Sequence, residues 1–202
     1  MQLKYFKLVY LKIKIHIMSI IGRNYSYDRY DIKWNRIKKF AIYFNNDADF
    51  VETGTYYGLT VDFCKKYFKK IYSIELNHDL FEFNKKRFRD NKKIDLLEGD
   101  SGELLNILLT NKTLSKNCVF WLDGHYSDKE TSISSKTSPI IEELTDIFKF
   151  KTIQNNWIIL IDDKRLFDGI DYPTLDIVED LAVNNNYKFG FDNDCIVLQP
   201  NI

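Results

Sequence analysis

The stretch DFVETGTYYGLTVDFCKKYFKKIYSIELN, residues 49–77, decides the fold. Its first six residues (DFVETG, 49–54) read as a strand ending in glycine. Tyr57–Phe68 reads as a helix, and Ile71–Leu76 (IYSIEL) as a second strand. Strand, glycine-bearing turn, helix and strand make a βαβ unit, whose crossover is right-handed.

The same alternation continues to the C-terminus. His78–Asp90 reads as a charged helix carrying Phe81, Phe83 and Phe88, and Ile94–Asp100 (IDLLEGD) as a strand. Gly102–Thr110 is a helix and Cys118–Gly124 (CVFWLDG) a strand. Pro139–Phe150 and Pro173–Asn184 are helices with proline in the first turn, where its missing N–H costs nothing. Trp157–Asp163 (WIILIDD) is a strand between them, and Tyr187–Phe191 with Cys195–Gln199 forms a closing hairpin. Strands alternating with helices argue for a Rossmann-like, doubly wound α/β fold. Its seven-stranded sheet is mainly parallel, with an antiparallel strand from the C-terminal hairpin. The central strands are apolar throughout, as strands covered on both faces are.

The chain has 202 residues, which suits a single domain. At 45% hydrophobic and 29% charged residues, it is neither a collagen, a coiled coil nor a disordered chain. The net charge is zero, so no globally basic nucleic-acid binder is indicated. The zero hides an asymmetry: residues 1–40 hold ten Lys/Arg against Asp28 and Asp31, a net of +8, and the remainder balances it. We therefore divide the chain into a basic N-terminal arm and helix, residues 1–45, packing on a domain of residues 46–202. Period-two alternation in residues 3–21 suggests a strand or an unsettled segment. Residues 29–44 read as an amphipathic helix. Cys64, Cys118 and Cys195 have no zinc or disulfide spacing and read as buried thiols in a reducing, cytoplasmic setting. No run of 18 apolar residues exists to cross a membrane as a helix.

Ligands of such sheets bind beyond the carboxyl ends of the strands, at the point where the strand order reverses. In this sequence those ends carry acids: Glu52 before Gly54, Glu75, Asp100, Asp123, and the pair Asp162 and Asp163. The first loop, Glu52-Thr53-Gly54-Thr55-Tyr56-Tyr57-Gly58, holds the nucleotide-loop position. A dinucleotide fingerprint needs glycine where Tyr56 stands, so that backbone can approach a pyrophosphate. Glu52 would also repel phosphates. The loop fits a phosphate-free, positively charged nucleoside, and S-adenosylmethionine is such a ligand. Glu75, 23 residues past Glu52 and followed by Leu76, suits the ribose hydroxyls, since one carboxylate can accept from both. Asp100, with Ser101, suits the exocyclic amine of the adenine.

The stretches VETGTYYG (51–58), YSIELN (72–77), LLEGDSGE (96–103), FWLDGHYS (120–127) and ILIDD (159–163) resemble the class I S-adenosylmethionine-dependent methyltransferases. The narrower resemblance is to the macrocin O-methyltransferase and cephalosporin-hydroxylase-like group. That group carries Asp-Gly after the fourth strand and paired acids after the fifth. The resemblance implies a divalent metal such as magnesium on Asp123, Asp162 and Asp163, beside the acceptor hydroxyl. Adjacent acids repel, and magnesium prefers oxygen ligands, which agrees with a cation there. His125 stands where the group often has an acidic base, since Asp-Gly-His-Tyr replaces Asp-Gly-Asp-Tyr. A histidine can take a proton near neutral pH. The polar segment Asp128–Ser138 lies where class I enzymes often carry a substrate loop.

The implied activity is transfer of a methyl group to an oxygen of a small molecule or glycan. Two alternatives stand beside it: a non-catalytic S-adenosylmethionine-binding protein, and an RNA-modifying methyltransferase using the basic arm. An NAD oxidoreductase is disfavoured by Tyr56 and Glu52. The acceptor and the oligomeric state are not encoded in any motif of the sequence.

Overall fold

The computed structural model of the protein describes residues 2–21, 30–111, 114–123 and 138–201. Two helices open the chain, α1 (Gln2–Ile21) and α2 (Tyr30–Tyr43). Then follow β1 (Asp49–Thr53), α3 (Leu59–Cys64), β2 (Lys70–Glu75), α4 (His78–Phe88), β3 (Ile94–Glu98) and α5 (Ser101–Asn111). Beyond them come β4 (Asn117–Leu122), α6 (Ile140–Phe150), β5 (Asn156–Ile161), a 3₁₀ turn (Lys164–Leu166), α7 (Leu175–Asn184), β6 (Tyr187–Asp192) and β7 (Cys195–Pro200).

The strands form one sheet in the order β3-β2-β1-β4-β5-β7-β6. All pairings from β3 to β5 are parallel, and β7 runs antiparallel to both β5 and β6. This is the Rossmann-like arrangement that the element order predicts. The order reverses between β1 and β4, so a crevice opens beyond the ends of those two strands.

Alternation along the strands sorts the core into two layers, because successive side chains point to opposite faces. Val51, Ile74, Phe120, Leu122, Ile159 and Ile161 meet α5, α6 and α7 on one face. Phe50, Ile71, Val119, Trp121, Ile158 and Leu160 meet α2, α3 and α4 on the other. The three cysteines are buried free thiols, as their apolar surroundings predict.

Three local expectations are corrected. Residues 3–21 are not a strand but lie within α1. Leu8, Leu11 and Ile15, at spacings of three and four, dock on Tyr57, Leu59 and Phe83, and this helical stripe outweighs the alternation. The helix expected over Tyr57–Phe68 shrinks to Leu59–Cys64: Gly58 ahead of it sits at φ 65°, and past Cys64 the chain closes into a turn in which Tyr67 N and Phe68 N both donate to Cys64 O. The two prolines stand outside their helices: Pro139 is the N-cap of α6, and Pro173 precedes Thr174, the N-cap of α7.

Among the described residues, no helix is long and apolar enough to cross a membrane.

Candidate functional site

Glu52 and Thr53 end β1 on opposite faces of the sheet. Glu52 is 2% exposed. The Ser73 hydroxyl donates to its Oε2 at 2.6 Å, and Ser73 Oγ lies 2.6 Å from Thr55 Oγ1. Burial pushes the Glu52 carboxyl well above the usual range, against the Ser73 bond, and the charges of Asp123 and Glu75 add to the shift.

The loop that follows turns its amides inward. Gly54 N and Thr55 N both donate to Ile74 O, at 3.0 and 3.1 Å, and Gly58 N donates to Thr55 O at 2.8 Å. Tyr56 N donates to Glu75 Oε2 at 2.7 Å, with Tyr56 itself in the left-handed region at φ 50°. Asn84 of α4 holds Tyr56 O at 2.6 Å, and Arg87 holds Tyr57 O at 2.7 Å. A phosphate site at a helix N-terminus needs amides that point at the ligand. Here the amides of Gly54, Thr55 and Tyr56 are spent on the end of β2 and that of Gly58 on Thr55, and α3 is only six residues long.

Glu75 is 7% exposed and closes the loop from the β2 side. Besides Tyr56 N it accepts from Asn77 N at 2.8 Å on its other oxygen. Burial raises its pKa, and the two amides oppose the rise. Each oxygen keeps a second lone pair for a further donor. Leu76 beside it is 47% exposed, an apolar surface at the mouth of the crevice. Asp100 caps α5, its Oδ1 accepting from Gly102 N at 2.9 Å and Glu103 N at 3.3 Å.

Asp123, Asp162 and Asp163 come together as the motifs imply: each offers a carboxylate oxygen, and these oxygens lie within 4.8 Å of one another. Asp162 is 2% exposed, and Asp163 sits in the left-handed region at φ 56°. Arg165 donates to Asp163 Oδ1 at 2.8 Å and also pairs with Asp194. The finding that sequence reasoning missed is Lys33 of α2. Its ammonium is bonded to Asp162 and lies 3.8 Å from Asp163 Oδ1. Burial works against that ammonium's charge, but Asp162, Asp123 and Asp163 outweigh it and push its pKa up. Tyr30, one turn earlier, is pushed up to about 12 by burial and by Asp123. Tyr172 is likewise raised by burial, then by the charges of Asp163, Asp123 and Asp162.

An all-oxygen donor set suits magnesium chemically. As folded, however, the cluster already holds a cation, the Lys33 ammonium on Asp162. A divalent ion fits only if that ammonium leaves.

A second missed residue is Glu143 of α6, with no exposed surface at all. Burial pushes it up to about 7. The Ser101 and Thr53 hydroxyls oppose the shift without closing a well-aligned hydrogen bond to either oxygen, while Asp100 and Glu142 reinforce it. The sequence signal for Glu143 was slight, one acid among several in a helix with a strong apolar face. His125, Tyr126 and nearly all of the segment Asp128–Ser138 lie outside the described residues.

No family model matches the chain, and no curated protein matches its sequence. Solved structures do match its fold. The O-methyltransferase TomG from Streptomyces achromogenes, involved in tomaymycin synthesis and solved with S-adenosylmethionine, superposes with a TM-score of 0.56 at 13% identity. That match covers 81% of this chain and 78% of TomG. A candidate caffeoyl-CoA O-methyltransferase from Staphylococcus aureus matches over 100% of both chains, with a TM-score of 0.55 at 12% identity. The N-methyltransferase NodS from Bradyrhizobium japonicum matches over 84% of this chain and 95% of its own, with a TM-score of 0.54 at 11% identity. Identities this low speak to architecture alone: the chain has the Rossmann-like fold found in these methyltransferases.

Proposed function

We propose that the protein is an S-adenosylmethionine-dependent methyltransferase acting on an oxygen of a small molecule or glycan. The observation that carries the reading is the first loop. Its amides are already bonded to Ile74, Glu75 and Thr55, and the carboxyls of Glu75 and Asp123 stand beside it, so the crevice disfavours phosphate and favours a cationic adenosine.

S-adenosylmethionine, when bound, supplies an electrophilic methyl group on a sulfonium sulfur. The chain supplies position and charge, which is most of what an in-line displacement asks of an enzyme. The remaining lone pairs of Glu75 accept from the ribose diol, and Leu76 covers the nucleoside. Asp100 and Ser101 stand at the adenine end, and Gly54 and Thr55 keep the turn open beneath the ribose. His125, two residues past Asp123 in sequence, takes the acceptor's proton as the oxygen receives the methyl group.

Calorimetric titration with S-adenosylhomocysteine tests the reading. Saturable one-to-one binding is expected, with none for NADH. Binding of NADH without binding of S-adenosylhomocysteine would refute it. A ligand that binds while no acceptor is ever methylated would favour the non-catalytic alternative.

A further inference from the structure

We infer that Lys33 is the resident cation of the acid cluster and takes the place that a divalent metal would hold. The inference deepens the methyltransferase reading and rests on it for its catalytic meaning, but the placement of Lys33 stands on geometry alone.

Three carboxylates at the ends of neighbouring strands, with oxygens within 4.8 Å, repel one another strongly. Like charges this close repel across a protein surface, and more so when buried. Such a cluster needs positive charge. Arg165, in the 3₁₀ turn that follows β5, supplies it to Asp163. Lys33 supplies it to Asp162 from the α2 side, and its side chain is only 16% exposed.

The reach of Lys33 is fixed by its helix. One turn on, Arg36 is 3% exposed and ion-paired with Asp192, its Nε 3.1 Å from Oδ2, while its Nη2 donates to the Asp192 carbonyl at 2.6 Å. Ile37 and Phe40 lie in the core beneath. On the next position of the same helix, Trp34 stacks on Phe63 at 5.1 Å. With α2 anchored at these points, the Lys33 ammonium is delivered to the cluster rather than left in solvent. A magnesium ion on Asp162 would sit against that ammonium, and two cations in contact exclude each other. The acceptor end of the crevice therefore holds a tethered ammonium, and metal is dispensable there.

The test is a Mn2+ titration of the full chain, read by calorimetry and by the electron paramagnetic resonance signal of free Mn2+. The wild type should bind no stoichiometric ion. Lys33→Met, which removes the ammonium but keeps the stem, should gain one site at least about tenfold tighter than any in the wild type, a change of about 1.4 kcal/mol. That site should vanish again on adding Asp162→Asn. Stoichiometric Mn2+ binding to the wild type that is lost in Asp162→Asn overturns the inference, and so does a folded Lys33→Met that gains nothing. If circular dichroism shows that Lys33→Met does not fold, Lys33→Gln serves in its place, and the wild-type titration decides by itself. S-adenosylhomocysteine binding, measured in parallel, separates the two ideas. Its absence sinks the methyltransferase reading, whereas the Mn2+ result bears on Lys33 alone.

Discussion

Replacing Glu143 by Gln should remove a large part of the pH dependence of stability. The carboxyl is fully buried at the start of α6, and burial pushes it from an ordinary 4.5 to about 7. Between those two values the folded protein holds a proton that the open chain has released. Stability from this group is therefore complete below pH 4.5 and is lost as the pH rises to about 7. The gap between the two values corresponds to about 3 kcal/mol. Glutamine keeps the shape but does not ionise. Urea unfolding at pH 5 and pH 8 should show the wild type losing about 3 kcal/mol more than Glu143→Gln over that interval. Glu52 is also raised by burial, but it is present in both proteins and cancels in the difference. Equal losses in the two proteins would show that Glu143 is not held neutral by the fold, and the reasoning from burial would be wrong.

Gly58→Ala should destabilise the fold by at least about 2 kcal/mol, from the left-handed backbone and the crowding together. Gly58 sits at φ 65°, and an added Cβ would lie 2.4 Å from Asn84 Oδ1. A thermal melt within a degree of wild type would refute this. Glu75→Ala should abolish stabilisation by S-adenosylhomocysteine, because it removes both the ribose acceptor and the partner of Tyr56 N and Asn77 N; an unchanged ligand-induced shift in melting temperature would count against both roles. Binding of single-stranded RNA should be weak, with a shallow salt slope, because Lys4, Lys12, Lys33 and Arg36 already pair with Asp79, Asp62, Asp162 and Asp192. A steep slope lost on deleting residues 1–21 would revive the RNA-modifying alternative.

The site was half legible in the sequence. Glu52, Glu75, Asp100, Asp123, Asp162 and Asp163 could be placed at strand ends because each follows an apolar run, and runs are local. Tyr56 in the loop argued against a pyrophosphate on steric grounds, and the structure adds a separate reason, since the amides there are already bonded to Ile74 and Glu75. The arm was harder. Its +8 charge read as a possible nucleic-acid surface, yet Lys33 and Arg36 turn inward and Lys4 and Lys12 pair with surface acids of the body. Alternating apolar and basic residues in 3–21 also obscured the helical stripe of Leu8, Leu11 and Ile15, which only its docking partners reveal.

By itself the sequence determined the order of strands and helices from residue 49 onward, the mainly parallel sheet and the acids along its rim. Hydrophobic period and glycine position act over a few residues and leave their trace in the chain. Only the tertiary structure decided that Lys33 meets Asp162, 129 residues away, and that Glu143 lies sealed beneath Thr53 and Ser101. Coulomb attraction and desolvation depend on distance in space, and that distance leaves no periodic mark on the sequence.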